Sequence, residues 1–124
     1  MNSPYDGFLL INKPTGPTSF GIVHLIRKLT GVKKVGHCGT LDPFADGLLI
    51  LAIGRAFTKQ IDHFQGLPKT YRLKMLLGKT TDTLDPEGEV VEDATKDLPN
   101  ITLEEVKKVI ETFVGEQEQI PPAF

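Results

Sequence analysis

The stretch GHCGTLDPFADGLLILAIG, residues 36–54, joins a glycine-rich loop to a run of six apolar residues at positions 48–53. A short apolar run bounded by turn residues is typical of a buried strand. The glycines of the loop can adopt backbone conformations that other residues avoid, and they allow close approach by another molecule. Asp42 lies in this loop, directly before Pro43. We therefore predict a core strand preceded by a carboxylate that is either a turn former or a functional group.

Composition and length describe an ordinary domain. The chain has 124 residues, of which 40% are hydrophobic and 24% charged, as in soluble globular proteins. No apolar run approaches the roughly 18 residues of a membrane span, and MNSPYDG at the start lacks the basic and apolar regions of a secretory signal. The single cysteine, Cys38, cannot form an internal disulfide, and the three histidines lack metal-ligand spacing. These features predict a cytoplasmic protein without a bound metal and without membrane contact.

The charge is distributed unevenly along the chain. Residues 1–80 contain 11 Lys and Arg against 4 Asp and Glu, a charge of +7, whereas residues 81–124 carry −9, so the net charge is −2. Such asymmetry is typical of a chain whose basic part binds a polyanion. The alternative is that charge varies by chance and that the acidic part is a solvated face.

Local patterns predict the elements on either side of the quoted stretch. GFLLINKP at 7–14 predicts a short buried strand stopped by proline. A helix is then expected to begin at Thr18 or Ser19 and to end at Gly31. Its apolar stripe consists of Ile22, Leu25, Ile26 and Leu29. A second amphipathic helix is predicted from Phe57, Ile61 and Phe64, ending at Gly66.

The remainder of the chain predicts two strands and a helix. TYRLKMLLG at 70–78 alternates apolar and polar residues, which predicts a half-buried strand, and EVVE at 89–92 predicts a strand that returns beside it. Thr102 and Glu105 form a capping box at the start of a helix that Gly115 ends. The order β-α-β-α-β-β-α predicts an α+β fold with a mixed sheet.

Two short motifs that would indicate other functions are incomplete. LLGKTTD at 76–82 lacks the glycine that a phosphate-binding loop requires five positions before Gly78. DTLDPEGE at 82–89 has Leu84 where a calcium loop requires an oxygen ligand. Neither a nucleotide site nor a calcium site is therefore predicted here.

A longer pattern carries a specific resemblance. GHCGTLDPFADGLL at 36–49 resembles the signature G-H-x-G-T-L-D-P-x-A-x-G-L-L of the TruB-type pseudouridine synthases, which modify a uridine in the T loop of tRNA, and it matches every fixed position. GFLLINKPTGPTS at 7–19 resembles the family's K-P-x-G-x-T-S motif, and KTYRLKMLLGKTTDTLDPEGE at 69–89 resembles its K-x-Y block. EQIPPAF at 118–124 resembles a fourth stretch, so the resemblance extends over nearly the whole chain.

The resemblance implies a role for several residues. Asp42 would be the catalytic aspartate of an isomerisation that needs no cofactor or metal, acting after the target uridine has been flipped out of its loop. Tyr71 would lie against the target base, and His37 would lie near the RNA loop. Lys13 and Pro14 would be structural residues that fix the first strand beside the active loop. For Tyr71 the alternative is core packing, and for His37 it is a turn-capping interaction.

The basic residues are candidates for contacts with the phosphates of tRNA. They are Arg27, Lys28, Lys33, Lys34, Arg55, Lys59, Arg72 and Lys74. Each of them taken alone is better explained as an ordinary solvated charge; together they account for the basic part of the chain.

The resemblance also implies a domain organisation and leaves two rival functions. Family members continue beyond QIPPAF with a second half of the catalytic domain that carries an arginine, and many have a C-terminal RNA-binding domain. Residues 1–124 are therefore expected to be the N-terminal part of a pseudouridine synthase catalytic domain, with a largely antiparallel sheet flanked by helices. The expected partner is the T arm of tRNA, the expected state is a monomer, and residues 1–124 alone are expected to be inactive. The rivals are a guide-RNA-dependent synthase acting on ribosomal RNA and a tRNA-binding fragment without activity.

Overall fold

A three-stranded antiparallel sheet contains the quoted stretch. The computed structural model describes residues 3–120, and the last four residues of EQIPPAF and the first two of MNSPYDG lie outside this range. The strands are β1 (Gly7–Lys13), β2 (Val35–His37) and β3 (Gly47–Ile53), in the order β1-β3-β2. The predicted strands at 7–14 and 48–53 are confirmed as β1 and β3, and the apolar run is the central strand.

The register of this sheet fixes which loops share an end. Gly7 pairs with Ile53 and Lys13 pairs with Gly47, so the end of β1 lies beside the start of β3. Val35 of β2 also pairs with Ile53. The loop from β2 to β3, which carries Asp42, therefore enters the sheet at the same end at which β1 leaves it.

The helix α1 (Ser19–Thr30) packs on one face of the sheet. Thr18 is its N-cap, with the side chain accepting a hydrogen bond from the Gly21 amide, and Gly31 ends it in the left-handed conformation at φ 71°. Both predicted ends are confirmed. The predicted stripe is wrong at Leu25 and Leu29, which are exposed. The buried core consists of Ile22, Val23, Ile26, Val35, Leu49, Leu51 and Ile53.

Two short helices, α2 (Arg55–Thr58) and α3 (Ile61–Gln65), replace the single helix predicted around Phe57. The Gln60 amide bonds to the Phe57 carbonyl, three residues back, and this tight turn ends α2. Two of the predicted apolar residues, Phe57 and Phe64, pack against the same aromatic ring. The Phe8 ring of β1 contacts the rings of Phe57 and Phe64 at centroid distances of 5.3 and 4.5 Å. These rings therefore cover part of the face opposite α1.

The chain divides into two compact units between Tyr71 and Arg72, and the second has its own small fold. It contains an antiparallel hairpin of β4 (Lys79–Thr81) and β5 (Val90–Asp93), followed by α4 (Leu103–Glu111). The Asp82 carboxylate accepts a hydrogen bond from the Glu89 amide at 2.9 Å, which closes the hairpin turn. The predicted capping box of α4 is confirmed, but the helix ends at Glu111, before the predicted end at Gly115. The predicted strand at 89–92 is confirmed as β5, which pairs with Lys79–Thr81 and not with 70–78.

The strand predicted at 70–78 is wrong. Residues 71–76 belong to no helix or strand, and β4 begins only at Lys79. The alternating residues are exposed, with Tyr71 at 65% and Met75 at 74%. A strand needs a neighbouring backbone, and no described segment pairs with this one. The alternation of residues at 70–78 indicates an apolar face but does not identify a packing partner.

The α+β class is confirmed by two small sheets and four helices, and every strand pairing in the described residues is antiparallel. Among the helices of residues 3–120, none is long and apolar enough to cross a membrane.

Candidate active site

Asp42 lies in the loop between β2 and β3, and its carboxylate is exposed. The Asp42 carbonyl accepts a hydrogen bond from the Ala45 amide at 3.1 Å, so the residue does begin a turn. The turn uses only the backbone, and within residues 3–120 no hydrogen bond or ion pair reaches the Asp42 carboxylate. The carboxylate is therefore accessible to a ligand, whereas an Asx-type turn former would use its side chain.

Lys13 ties this loop to the end of β1. Its side chain is fully buried, and Nζ donates hydrogen bonds to the carbonyls of Pro14 and Pro17, each at 2.9 Å, and of Pro43 at 3.4 Å. Three carbonyl oxygens replace the water that the ammonium group loses on burial. Pro43 is the residue after Asp42, so Lys13 fixes the backbone on that side. Pro14 supplies one acceptor and thus belongs to the same cluster.

A second contact fixes the backbone before Asp42. The Ser19 hydroxyl donates to the Leu41 carbonyl and accepts from the Leu41 amide, both at 2.9 Å, and Ser19 is 2% exposed. The Gly16 amide also donates to the Pro43 carbonyl at 2.7 Å. Leu41 is therefore bound to the first residue of α1, and Pro43 is bound to the end of β1 and to the connection that follows it. The sequence alone identifies Ser19 only as a possible helix cap. No local pattern distinguishes a serine that caps a helix from one that binds a distant backbone segment.

His37 is the last residue of β2, and its ring is bound within the loop. Nδ1 lies 2.6 Å from the Gly39 carbonyl oxygen. A carbonyl oxygen can only accept a hydrogen bond, so Nδ1 is the donor in this contact. This contact is the turn-capping interaction of the alternative interpretation. The position of His37 near the RNA loop stays a prediction.

Cys38 is the other nucleophilic side chain in this part of the chain, and it is buried. Burial raises the pKa of the Cys38 thiol above its ordinary value. The group therefore stays protonated at neutral pH, and the thiolate needed for nucleophilic attack is scarce. Cys38 is accordingly a packing residue and not a candidate nucleophile.

Tyr71 is exposed and belongs to no helix or strand. The Tyr71 ring is therefore not packed in the core of the described structure. Leu73, which shares its predicted face, is also exposed, at 72%.

Several basic residues gather at the opposite end of the sheet from Asp42. Arg27, Lys33 and Lys34 line one shallow cavity. Lys33 and Lys34 line a second cavity with Arg55, where Asp6 is the one acidic lining residue. This end is where β3 finishes at Ile53, so the length of its seven residues, roughly 20 Å, separates it from the Asp42 end. We call Arg27, Lys33, Lys34 and Arg55 the basic end.

The guanidinium of Arg27 is the most firmly held of these cations. It donates to the Val35 carbonyl at 2.7 Å and lies 5.5 Å from the centre of the Phe20 ring. Within the described residues the one ion pair joins Lys79 and Asp93, so no carboxylate neutralises the basic end by direct contact. The other candidates are placed differently. Lys28 is exposed on α1, Lys59 lies between α2 and α3, and Arg72 and Lys74 belong to the second unit.

Comparison with known proteins gives the family. Residues 27–124 match the model of the TruB family pseudouridylate synthases, N-terminal domain. The chain is 46% identical over 122 residues to the tRNA pseudouridine synthase B of Protochlamydia amoebophila, covering 98% of this chain and 45% of that protein. It is 47% identical over 118 residues to the protein of the same name from Desulfotalea psychrophila, covering 95% and 47%. The corresponding Thermotoga maritima protein is 46% identical over 118 residues, covering 95% and 37%.

The chain belongs to the TruB family of pseudouridine synthases. It spans about half the length, or less, of the curated relatives it matches.

Proposed function

We propose that residues 1–124 are the N-terminal part of the catalytic domain of a tRNA pseudouridine synthase, and that Asp42 is its catalytic residue. The observation that carries this proposal is the exposed Asp42 carboxylate, which no described side chain or backbone group engages. Its two neighbours are held by the end of β1 and by the start of α1. Its loop also matches the family signature at every fixed position. The proposed substrate is a uridine in the T loop of tRNA.

One carboxylate suffices for the reaction. The N1–C1′ bond of uridine breaks, the uracil turns, and a C5–C1′ bond forms. C5 loses its proton and N1 gains one, so atoms and charge balance and nothing is oxidised. Asp42 acts either as a nucleophile on the sugar or as a base for the C2′ proton. Both routes require the ionised carboxylate.

The target uridine must leave the folded loop before Asp42 can reach it. Tyr71 is proposed to support the flipped base, because an exposed aromatic ring offers a stacking surface. The basic end is proposed to bind phosphates of the tRNA that are remote from the reacting uridine.

Substitution of Tyr71 separates stacking from hydrogen bonding. Tyr71→Leu is expected to lower turnover more than Tyr71→Phe, because leucine removes the ring whereas phenylalanine removes a single hydroxyl. The measurement is kcat on a tRNA transcript for both variants, with folding checked by circular dichroism. Equal losses would exclude a stacking role for Tyr71.

The lysine pair of the basic end has a matched control. Val-Lys-Lys-Val occurs at 32–35 and again at 106–109 on α4, and all four lysines are exposed. Replacing Lys33 and Lys34 by glutamine is expected to weaken tRNA binding. The slope of log K against log salt should become shallower by roughly 0.7 to 0.9 for each phosphate that the variant no longer binds. Replacing Lys107 and Lys108 changes net charge equally. Equal effects of both pairs on affinity and slope would show that overall charge, rather than the basic end, attracts RNA.

The proposed activity is tested on unmodified tRNA transcripts with the full-length protein. Nucleoside analysis after incubation is expected to show one pseudouridine in the T loop. A transcript with cytidine at that position is the control and should yield none. Tight tRNA binding without pseudouridine would support a binding module and overturn the enzymatic proposal.

A further inference from the structure

We propose that Ser19 is a positioning residue for the reaction, which holds the backbone before Asp42 and thereby sets the direction of the Asp42 carboxylate. This inference rests on the proposed function of Asp42. It assigns to Ser19 a role distinct from the helix capping expected for a serine at the start of a helix.

The Ser19 hydroxyl satisfies both backbone groups of one residue. It donates to the Leu41 carbonyl and accepts from the Leu41 amide, each at 2.9 Å, across 22 residues of sequence. The hydroxyl is shielded from water, because Ser19 is 2% exposed. Water therefore cannot readily replace it, and these two bonds are the described polar link between α1 and Leu41.

The anchor is itself rigid. Ser19 is the first residue of α1, and Thr18 caps this helix through the Gly21 amide at 2.9 Å. The next turn of α1 is packed in the core through Ile22 and Val23. Leu41 is thus fixed to a helix that the main hydrophobic core holds in place.

Asp42 depends on such anchors because its carboxylate has no hydrogen bond of its own in the described structure. Pro43 is held on the other side by Lys13 and by the Gly16 amide. Loss of the Ser19 hydroxyl would release one side of Asp42 and leave the other bound. A displacement of about 1 Å at a reacting group can reduce a rate roughly 100-fold.

Comparison of Ser19→Ala with Thr18→Ala tests this role. Both remove one hydroxyl at the start of α1, but the Thr18 side chain bonds only to its own helix. We expect both variants to fold and Ser19→Ala to lose more stability in urea than Thr18→Ala, because the Ser19 hydroxyl is shielded from water whereas Thr18 is exposed. We expect kcat on tRNA to fall roughly 10- to 100-fold for Ser19→Ala alone, with KM within about twofold of wild type. Ser19→Cys keeps a weaker donor and acceptor and should give an intermediate kcat, and it serves if Ser19→Ala does not fold.

Amide exchange at Leu41 supplies a readout that does not need turnover. The Leu41 amide should exchange roughly tenfold faster in Ser19→Ala than in wild type and unchanged in Thr18→Ala. Wild-type kcat in Ser19→Ala, or equal kcat losses in both alanine variants, would overturn the positioning role. If the wild type formed no pseudouridine, the proposed function would fail, and unchanged Leu41 exchange would separately refute the anchoring by Ser19.

Discussion

Asp42→Asn in the full-length protein is expected to reduce pseudouridine formation by roughly a thousandfold or more while tRNA affinity stays within several-fold. Asparagine has nearly the same size and keeps the backbone turn to Ala45, but its amide can serve neither as a nucleophile on the sugar nor as a base. Binding should persist, because phosphate contacts supply much of the affinity for RNA.

Asp46→Asn is the control for this variant. Asp46 is an exposed carboxylate in the same loop, and its neutralisation removes the same charge. The Asp46→Asn variant should retain turnover close to that of wild type. The measurements are kcat and the dissociation constant for one tRNA transcript. Substantial turnover by Asp42→Asn would show that another group performs the chemistry.

Lys13→Met is expected to have the largest effect on stability, a loss of about 3 kcal/mol in the free energy of unfolding. Methionine fills a similar volume but leaves the carbonyls of Pro14, Pro17 and Pro43 without their shared donor. Because these groups are partly buried, water replaces the ammonium group incompletely. Urea denaturation followed by circular dichroism measures the change.

Lys69→Met is the matched control for this prediction. The Lys69 ammonium also donates to two carbonyls, those of Gln65 and Leu67, but the residue is exposed and water can take its place. Its loss should cost less than about 0.5 kcal/mol. Equal effects of the two variants would mean that burial of Lys13 does not make its hydrogen bonds important for stability.

Sequence predicted the parts of this fold that depend on neighbours along the chain. The N-caps of α1 and α4 follow from residues within three positions of each helix start, and the apolar run of β3 can be recognised without its partner strands. The strand predicted at 70–78 is wrong because a strand also depends on residues that are distant in sequence. Its residues alternate clearly between apolar and polar. A strand forms only beside another strand, however, and the alternation does not identify the partner.

The candidate site shows the same division. Asp42 was predicted as a candidate from its loop and from the family signature, both of which are local in sequence. The contact between Ser19 and Leu41 joins residues 22 apart, and the contact between Lys13 and Pro43 joins residues 30 apart. No periodicity or composition encodes such pairs. Only the family resemblance predicted that Lys13 supports the loop that carries Asp42, and the contact made by Ser19 became visible only in the folded chain.

Release of the C5 hydrogen reports directly on whether Asp42 performs the isomerisation. The reaction replaces the C5–H bond of one uracil by the C5–C1′ bond, so tRNA labelled with tritium at C5 of uridine loses the label only at the modified position. Under single-turnover conditions with saturating protein, we predict release of one equivalent per tRNA by the wild type and none by Asp42→Asn, although both bind. Equal release by the two proteins, or no release by the wild type, would contradict the catalytic role of Asp42.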